Sequence, residues 1–254
     1  MSEMSKDVRK SFAPVAKNYV TSPFHAGRER LDEVVELAQP RPGDRVLDVA
    51  TGTGNTALVL APLVRHVTGL DLTPEMLDEA RRLASERGLA NVAWVLGDAE
   101  ALPFPEASFD LWTARAAPHH FHDLARALAE AARVLNPGGR AVVIDGSGPK
   151  EARDWLHEVE MKRDPSHVGM RTLEEWVELL EGAGFLVEEA RVRQLDWDFE
   201  AWNLRIGWPA ERMEELASIV EASTGAARAQ LRPERREGRL WHRYWHALIR
   251  ARKP

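Results

Sequence analysis

The sequence predicts an α/β protein built on a parallel, doubly wound sheet. Three observations lead to this prediction. Apolar strand-like runs alternate with segments of helical periodicity, a glycine-bearing turn follows the first long run, and 44% of the 254 residues are hydrophobic. This length and composition suffice for one large α/β domain, with or without a small cap.

The first half of the chain carries the regular alternation. Residues 5–25 have scattered apolar positions interrupted by Pro14 and Pro23, which predicts a short N-terminal helix or lid. Thr73 is expected to cap a helix that has Pro74 at its first position. Residues 135–139 are expected to form a turn. The predicted strands are 45–49, 66–70, 92–96, 109–114 and 140–144, and the predicted helices are 28–38, from the glycine turn to about 64, 74–87 and 123–134.

The second half is less regular. Thr172 is expected to cap a helix that ends near residue 180, and residues 185–197 are typical of a strand. Residues 202–225 have mostly helical spacing, and residues 240–251 alternate as a final strand. We therefore predict a single domain over residues 1–254. Within it we expect a lid at 1–40, a cofactor-binding core at 41–145, and cap or substrate elements at 146–172 and 198–236.

Composition excludes several classes of function. The sequence has no cysteine, which rules out disulfides, cysteine–metal sites and a thiolate nucleophile, and we predict no metal site. A net charge of −6 predicts no broad basic surface for nucleic acid. No apolar run approaches the roughly 20 residues that span a membrane, and residues 1–10 lack an apolar signal core. We expect a cytoplasmic protein whose oligomeric state the sequence does not indicate.

Three carboxylates stand where a nucleoside cofactor would use them. Asp48 lies within the first predicted strand, Asp71 ends the second and Asp98 ends the third. All three are therefore expected at the carboxyl edge of the sheet, where open α/β folds bind ligands. A carboxylate such as Asp71 can accept hydrogen bonds from both hydroxyls of a ribose, and Asp98 can accept from the exocyclic amine of adenine.

The glycine turn narrows the choice of cofactor. Gly52 and Gly54 allow a sharp turn and close approach of a ligand to the backbone, and the amides of the next helix face that ligand. With Ala57 the turn weakly satisfies the dinucleotide pattern. However, Asp48 would lie just below it, and a carboxylate there repels a pyrophosphate. The same charge suits a ligand with an ammonium and a sulfonium, which favours S-adenosylmethionine.

At this point the sequence resembles a known family, the class I S-adenosylmethionine-dependent methyltransferases, and within it the ubiquinone/menaquinone C-methyltransferase-like (methyltransferase type 11) group. The motifs that carry the resemblance are VLDVATGTG at 46–54, GLDLTPEML at 69–77 and GDAEALPF at 97–104, with FD at 109–110, HHF at 119–121 and LNPGG at 135–139. They cover residues 8 to 150 strongly and extend weakly to about 190. One departure is Ala50, where the family often has glycine.

The resemblance implies a Rossmann-like, seven-stranded methyltransferase sheet whose last strand is antiparallel, with small helical cap elements. It also implies that Asp71 holds the ribose and that Leu72 and Met76 enclose the adenine. Asp98 and the amide of Ala99 would bind the adenine edge. The complete set of candidate cofactor-binding residues is Tyr19, Asp48, Ala50, Thr51, Gly52, Thr53, Gly54, Asp71, Leu72, Met76, Asp98, Ala99, Glu100, Arg115 and His120.

The methionine end of the cofactor has its own candidates. The turn from Gly52 to Gly54 would pass under the methionine portion, and Asp48 would lie near its amino group through water. Arg115 would lie beside this end, and Tyr19 would close over the cofactor from the lid.

The methyl acceptor is the open question. Transfer from a sulfonium is an in-line displacement that depends on positioning, and it needs a base only if the acceptor must lose a proton. His119 and His120, which follow the fourth strand, are candidates for that base and for the substrate pocket. By resemblance the expected acceptor is a small molecule with a quinone-like or phenolic ring. The alternatives are an NAD-dependent oxidoreductase and a methyltransferase-like protein that binds the cofactor without catalysis.

Overall fold

The computed structural model describes residues 3–254, with side chains described from Val8 onward; Met1 and Ser2, the start of the predicted lid, lie outside the described residues. The strands are β1 Arg45–Val49, β2 His66–Asp71, β3 Val92–Leu96, β4 Phe109–Arg115, β5 Leu135–Ser147, β6 Leu186–Asp198, β7 Glu234–Arg236 and β8 Arg239–Arg252. The helices are α1 Glu3–Phe12, α2 Ala16–Val20, α3 Pro23–Ala26, α4 Arg28–Ala38, α5 Asn55–Leu60, α6 Pro74–Glu86, α7 Leu124–Val134, α8 Lys150–Arg163, α9 Leu173–Gly182, α10 Phe199–Asn203, α11 Ala210–Glu221 and α12 Gly225–Leu231.

The sheet has the predicted doubly wound architecture. Seven strands follow the order β3-β2-β1-β4-β5-β8-β6, and the first five of these are parallel to one another. β8, the last strand of the chain, is antiparallel to both β5 and β6, as expected. The short strand β7 was not predicted. It pairs with β8 and adds an eighth strand beside the main path.

Alternate side chains of the central strands pack into two cores. Leu47 and Val49 of β1 belong to the cluster formed with α7 and α9. Val46, which points to the opposite face, belongs to the cluster formed with α4 and α5. Because both faces of the sheet are covered by helices, its central strands are apolar on both sides. A third cluster joins α8, α10, α11 and α12 at the carboxyl end of the sheet.

Several local predictions need correction. The predicted turn at 135–139 lies inside β5. Leu135 already pairs with Phe109, and the register shifts before Arg140 pairs with Leu111. The predicted helix at 202–225 is interrupted: the chain turns at Gly207 (φ 75°) and Pro209 between α10 and α11, and α11 ends at Glu221, before α12 begins at Gly225. Thr73 occupies the N-cap position of α6, but its hydroxyl makes no capping hydrogen bond.

The capping of α9 agrees with the prediction. The Thr172 hydroxyl accepts a hydrogen bond from the Glu175 amide at 3.2 Å, and the Glu175 carboxylate accepts one from the Thr172 amide at 2.9 Å. These reciprocal bonds satisfy two amide donors at the start of the helix. Among residues 3–254, no helix has both the length and the apolar character needed to cross a membrane.

Candidate active site

A large cavity opens at the carboxyl edge of β1, β2, β3 and β4. It encloses about 1010 Å³ of empty space, part of it open to solvent. Helices α1 to α3 lie over it, and they contribute side chains such as Phe12, Tyr19 and His25 to its wall. The parallel strands bring their ends together here because neighbouring strands run in register, with Asp48 beside Gly69 and Thr113.

Fourteen of the fifteen candidate cofactor residues line this cavity; Gly54 does not. The lining candidates are Tyr19, Asp48, Ala50, Thr51, Gly52, Thr53, Asp71, Leu72, Met76, Asp98, Ala99, Glu100, Arg115 and His120. Sequence motifs separated by dozens of residues therefore meet at one surface. His119 is also absent from this wall and lines a neighbouring cavity.

The two glycines of the turn have different surroundings. Gly52 has a φ of +57°, and a Cβ built on it would meet no protein atom within 4 Å, so its backbone borders open space. Gly54 has a φ of +80°, and a Cβ there would lie 2.6 Å from the Trp94 ring of β3. Gly54 therefore permits close packing of the turn on β3, set back from the cavity. Ala50 has a left-handed backbone (φ 50°), the conformation that glycine adopts most easily.

Asp48 is 1% exposed and is held by two hydroxyls. Its carboxylate accepts hydrogen bonds from the Thr51 hydroxyl at 2.5 Å and from the Thr113 hydroxyl of β4 at 2.7 Å. Burial raises the pKa of Asp48 to about 6, because these hydrogen bonds only partly offset the loss of water. The carboxylate thus fixes the turn against β4 at the floor of the cavity.

Asp71 connects the turn to the start of α6. One of its oxygens accepts a hydrogen bond from the Gly52 amide and the other from the Thr73 amide, each at 2.8 Å. A carboxylate has about four acceptor positions, so each oxygen retains capacity toward the cavity. That is the capacity needed to accept from the two hydroxyls of a ribose. Burial raises the pKa of Asp71 above its ordinary value.

The Asp98 carboxylate lies on the same wall, and one of its oxygens accepts from the Glu100 amide at 2.9 Å. On the other side of the cavity, Arg115 connects the lid helices to β4. Its guanidinium donates to the Thr56 hydroxyl at 2.9 Å and to the His25 carbonyl at 2.7 Å. Burial lowers the pKa of Arg115 to about 10, which still leaves it charged near neutral pH.

A second, smaller cavity, which we call the inner chamber, adjoins the first; its roughly 390 Å³ of empty space is also partly open to solvent. The two cavities share the wall residues Phe12, Tyr19, His25, Ala116 and His120. The remaining wall of the inner chamber comes from α3, from the turn after β4, from both predicted cap segments and from β5 and β8. These residues are Phe24, His119, Asp145, Gly146, Arg163, Asp164, Trp202, Arg205 and Tyr244.

The two adjacent histidines have different partners. His119 Nδ1 lies 2.6 Å from Asp145 Oδ1, whereas His120 Nδ1 lies 3.0 Å from the Ser166 carbonyl and its Nε2 lies 3.9 Å from Asp164. Burial lowers the pKa of His119, but the charge and hydrogen bond of Asp145 outweigh burial and raise it overall. Burial and the neighbouring His119 lower the pKa of His120 to about 4.

The two arginines of the inner chamber also differ. Arg163 donates to the Glu160 carboxylate at 2.7 Å. Arg205, which is 7% exposed, donates to the Trp202 carbonyl, and its guanidinium lies 4.9 Å from the Phe24 ring centre. No ion pair within 4.0 Å joins Arg205 to a carboxylate of the described residues. The Tyr19 side chain is hydrogen-bonded to this guanidinium, and both residues line the chamber.

Sequence reasoning missed most of the inner chamber. Trp202, Arg205 and Tyr244 lie in segments without a recognisable motif, and only the fold brings them together with Arg163. Asp145 directly follows the predicted strand 140–144, and this position, like that of Asp71 after its strand, is the signal that could have found it. In the part of the chain that the structure describes, no group of three or more His, Asp or Glu side chains is arranged to hold a metal ion.

Comparison with known proteins agrees with this geometry. A family model described as a methyltransferase domain matches residues 47–143. An uncharacterized methyltransferase of Bacillus subtilis, YcgJ, is 34% identical over 219 residues, which cover 85% of this chain and 87% of that protein. The crystal structure of the Bacillus subtilis YcgJ protein superposes with a TM-score of 0.83 at 32% identity, covering 89% of this chain and 98% of that one.

A relative with a named reaction matches over a shorter region. The demethylmenaquinone methyltransferase of Thermus thermophilus is 43% identical over 132 residues, which are 51% of this chain and 60% of that enzyme. Together with the turn, the strand-end carboxylates and the paired cavities, these likenesses identify the fold and the chemistry. The chain belongs to the class I S-adenosylmethionine-dependent methyltransferases of the ubiquinone/menaquinone C-methyltransferase-like group, and S-adenosylmethionine is its cofactor.

Proposed function

We propose that this methyltransferase acts on a small molecule with a phenolic or quinone-like ring, and that the acceptor occupies the inner chamber. The observation that carries this proposal is the wall that the inner chamber shares with the cofactor cavity. An acceptor in the chamber would lie beside the methyl-bearing end of the cofactor. The aromatic side chains Phe24, Trp202 and Tyr244 offer faces for a ring, and the likeness to a demethylmenaquinone methyltransferase supports a quinone-like one.

The cavity residues fit S-adenosylmethionine in the roles that the resemblance implies. In the proposed arrangement Asp71 accepts from the ribose hydroxyls, Leu72 and Met76 pack against adenine, and Asp98 and Ala99 bind its edge. Gly52 leaves room above the turn for the methionine portion, since a Cβ there would occupy open space. Asp48, Arg115 and His120 surround that end of the cavity, and Tyr19 covers it from the lid.

Catalysis in this arrangement depends on positioning and on the exclusion of water. Bound S-adenosylmethionine supplies an already activated methyl group on a sulfonium. Arg115 holds the backbone of α3 over the cavity through the His25 carbonyl, and Tyr19 and Phe12 line the cavity from the lid helices. A closed, oriented site raises the rate by holding the reacting atoms in line and by removing competing water.

Calorimetry tests the cofactor assignment. Replacing Asp71 with Ala removes the acceptor of the ribose hydroxyls, and we expect S-adenosylhomocysteine to bind about tenfold more weakly, or about 1.4 kcal/mol. The matched control is Asp78→Ala, which removes an exposed carboxylate of α6 that pairs with Arg81 at 2.7 Å. Equal affinities for the two variants would show that Asp71 does not bind the ribose.

Transfer of a labelled methyl group tests the reaction. We expect wild-type protein to label at least one member of a panel of phenols, catechols, hydroquinones and amines, with the phenolic members preferred. Binding of NAD without binding of S-adenosylhomocysteine would favour the oxidoreductase alternative. Binding of S-adenosylhomocysteine with no transfer to any member would favour a protein that binds the cofactor without catalysis.

A further inference from the structure

We propose, resting on the function proposed above, that Asp145 orients His119 as the proton acceptor of the inner chamber. The methyl acceptor is then a molecule that gives up a proton, as a phenol, an enol or a hydroquinone does. This assigns a role to Asp145 and separates His119 from His120. A thioether or a pyridine, which is methylated without losing a proton, would not need this pair.

The geometry of the pair fixes the tautomer of His119. Asp145 is 1% exposed and belongs to β5, where it pairs with Ala247 of β8, so its position is held by two neighbouring strands. Its Oδ1 lies 2.6 Å from His119 Nδ1. A carboxylate accepts, so Nδ1–H donates and Nε2 carries the lone pair. His119 lines the inner chamber, where that lone pair can meet an acidic proton.

Among the described residues, His120 has no carboxylate at hydrogen-bonding distance, and Asp164 lies 3.9 Å from its Nε2. Its Nδ1 faces the Ser166 carbonyl at 3.0 Å, which orients the ring without supplying a full negative charge. Burial lowers its pKa to about 4, so it remains neutral near pH 7 and is a weak base. The rings of the two histidines lie 4.1 Å apart, and two adjacent buried imidazoles cannot easily both be charged. Because His119 is the histidine hydrogen-bonded to a carboxylate, we assign the role of proton acceptor to it.

Charged and titratable groups on other elements also face His119. Glu160 and Asp164, at the end of α8 and just beyond it, act with Asp145 to favour the imidazolium. The His167 ring lies 5.1 Å from His119, and burial lowers its pKa, so it stays neutral. Asp145 is the only one of these carboxylates that the structure shows hydrogen-bonded to His119 among the described residues. Its removal should therefore have the largest effect.

The proposed step is balanced within the chamber. The O–H bond of the acceptor breaks, and its proton moves to Nε2 of His119. The electron pair of that oxygen, or of the ring carbon conjugated with it, forms the new bond to the methyl carbon. The carbon–sulfur bond breaks, and its electron pair stays on sulfur. The imidazolium is stabilised by Asp145 until it returns the proton to solvent.

Nitrogen NMR of histidine-labelled protein tests the pair without any substrate. In the wild type we expect His119 to be protonated at Nδ1 in its neutral form and to titrate above the ordinary pKa of 6.5. Asp145→Asn should lower the titration midpoint by about one pH unit or more, because it removes the charge that stabilises the imidazolium. Asp164→Asn is the matched control, and its shift should be less than half as large. Equal shifts in the two variants would overturn the proposal.

Methyl transfer provides the second measurement. With catechol and hydroquinone as acceptors, we expect His119→Asn and Asp145→Asn to lower kcat by about tenfold to hundredfold, with S-adenosylhomocysteine affinity unchanged. Asp145→Asn should also move the acidic limb of the kcat pH profile in the direction of the NMR midpoint. Wild-type rates in His119→Asn, or equal transfer to thioethers and pyridines, would overturn the proposal. No transfer to any acceptor would refute the proposed function instead, while the titration still decides whether Asp145 controls His119.

Discussion

Gly52, in the turn after β1, and Gly88, just beyond α6, have the same backbone requirement but lie at different distances from the cavity. Gly52 and Gly88 both have left-handed backbones (φ +57° and +65°), and a Cβ on either would meet no protein atom within 4 Å. Alanine at either position should therefore cost about 1 kcal/mol of unfolding free energy from backbone strain. Gly52 borders the cofactor cavity, whereas Gly88 lies beyond the end of α6.

A comparison of alanine variants at these two glycines separates the effect of backbone strain on stability from the effect on cofactor binding. We expect Gly52→Ala and Gly88→Ala to lose similar stability in urea unfolding, while only Gly52→Ala weakens S-adenosylhomocysteine binding, by about tenfold or more. The reason is that, in the proposed arrangement, the added methyl group would occupy space that the cofactor uses. Calorimetric affinities that match in the two variants would place the cofactor away from the turn.

For individual residues, the sequence predicted the wall of the cofactor cavity better than the wall of the inner chamber. Asp48, Asp71 and Asp98 were found because strand ends meet at one edge of a parallel sheet, a rule that needs no knowledge of the loops. The His119–Asp145 pair depends on the angle at which the chain leaves β4, and Arg205 depends on how a cap segment folds back. Neither is determined by local periodicity, so neither was predicted from the sequence.

At the scale of single elements, two threonines stand at the N-cap position of a helix and differ in their bonds. The Thr172 hydroxyl caps α9 through the Glu175 amide, whereas the Thr224 hydroxyl makes no capping bond to α12. Thr172→Ala should lower the unfolding free energy by about 1 kcal/mol. Thr224→Ala should change it by less than about 0.5 kcal/mol. Urea unfolding measures both, and an equal loss would show that the capping box contributes nothing specific.

Hydrophobic periodicity predicted the positions of most strands and helices. The errors in predicted elements occurred where tertiary contacts determine the local structure. β1 and β3 match their predicted bounds, because apolar runs between turn signals are strong local indicators. Residues 136–139 contain Pro137 and two glycines, which indicate a turn. The chain nevertheless stays hydrogen-bonded to the segment that ends β8, because the Gly138 amide donates to the Lys253 carbonyl at 2.9 Å. The residues of β7 carry only charged side chains, so their pairing with β8 had no apolar signal.

At the scale of the whole molecule, buried neutral histidines dominate the pH dependence of stability. Burial lowers the pKa of His120 and His242 to about 4 and that of His246 to about 3, from 6.5. Below pH 6.5 the unfolded chain binds protons that the folded chain does not, so stability falls as pH decreases toward 4. Each of the three should cost on the order of 2 kcal/mol at pH 5.

Asp48 acts in the opposite direction. Its pKa is raised by burial to about 6, so the folded state binds its proton first and gains about 1 kcal/mol between pH 7 and 5. The raised pKa of His119, like that of Asp48, stabilises the folded state as pH falls. The destabilisation from the three buried histidines is larger than this stabilisation. We therefore expect a net loss of several kcal/mol between pH 7 and 5, measured by urea unfolding at the two values.

A variant isolates one of these histidines. His242 packs between Phe199 and Trp202, with ring centres 5.6 and 5.0 Å away, so leucine suits its surroundings. His242→Leu should reduce the loss between pH 7 and 5 by about 2 kcal/mol. His122→Gln, which changes an exposed histidine, is the control and should leave the loss unchanged. A loss in His242→Leu equal to that of the wild type would contradict this account of acid sensitivity.

The central claim is that the methyl acceptor occupies the inner chamber beside the cofactor. The most direct measurement is kcat/KM for labelled methyl transfer to the best phenolic acceptor, with wild type, Arg205→Met and the exposed control Arg228→Met. Arg205 lines the inner chamber and not the cofactor cavity. We predict that Arg205→Met lowers kcat/KM about tenfold or more with unchanged S-adenosylhomocysteine affinity, while Arg228→Met behaves as wild type. Equal kcat/KM values in all three proteins would contradict the claim.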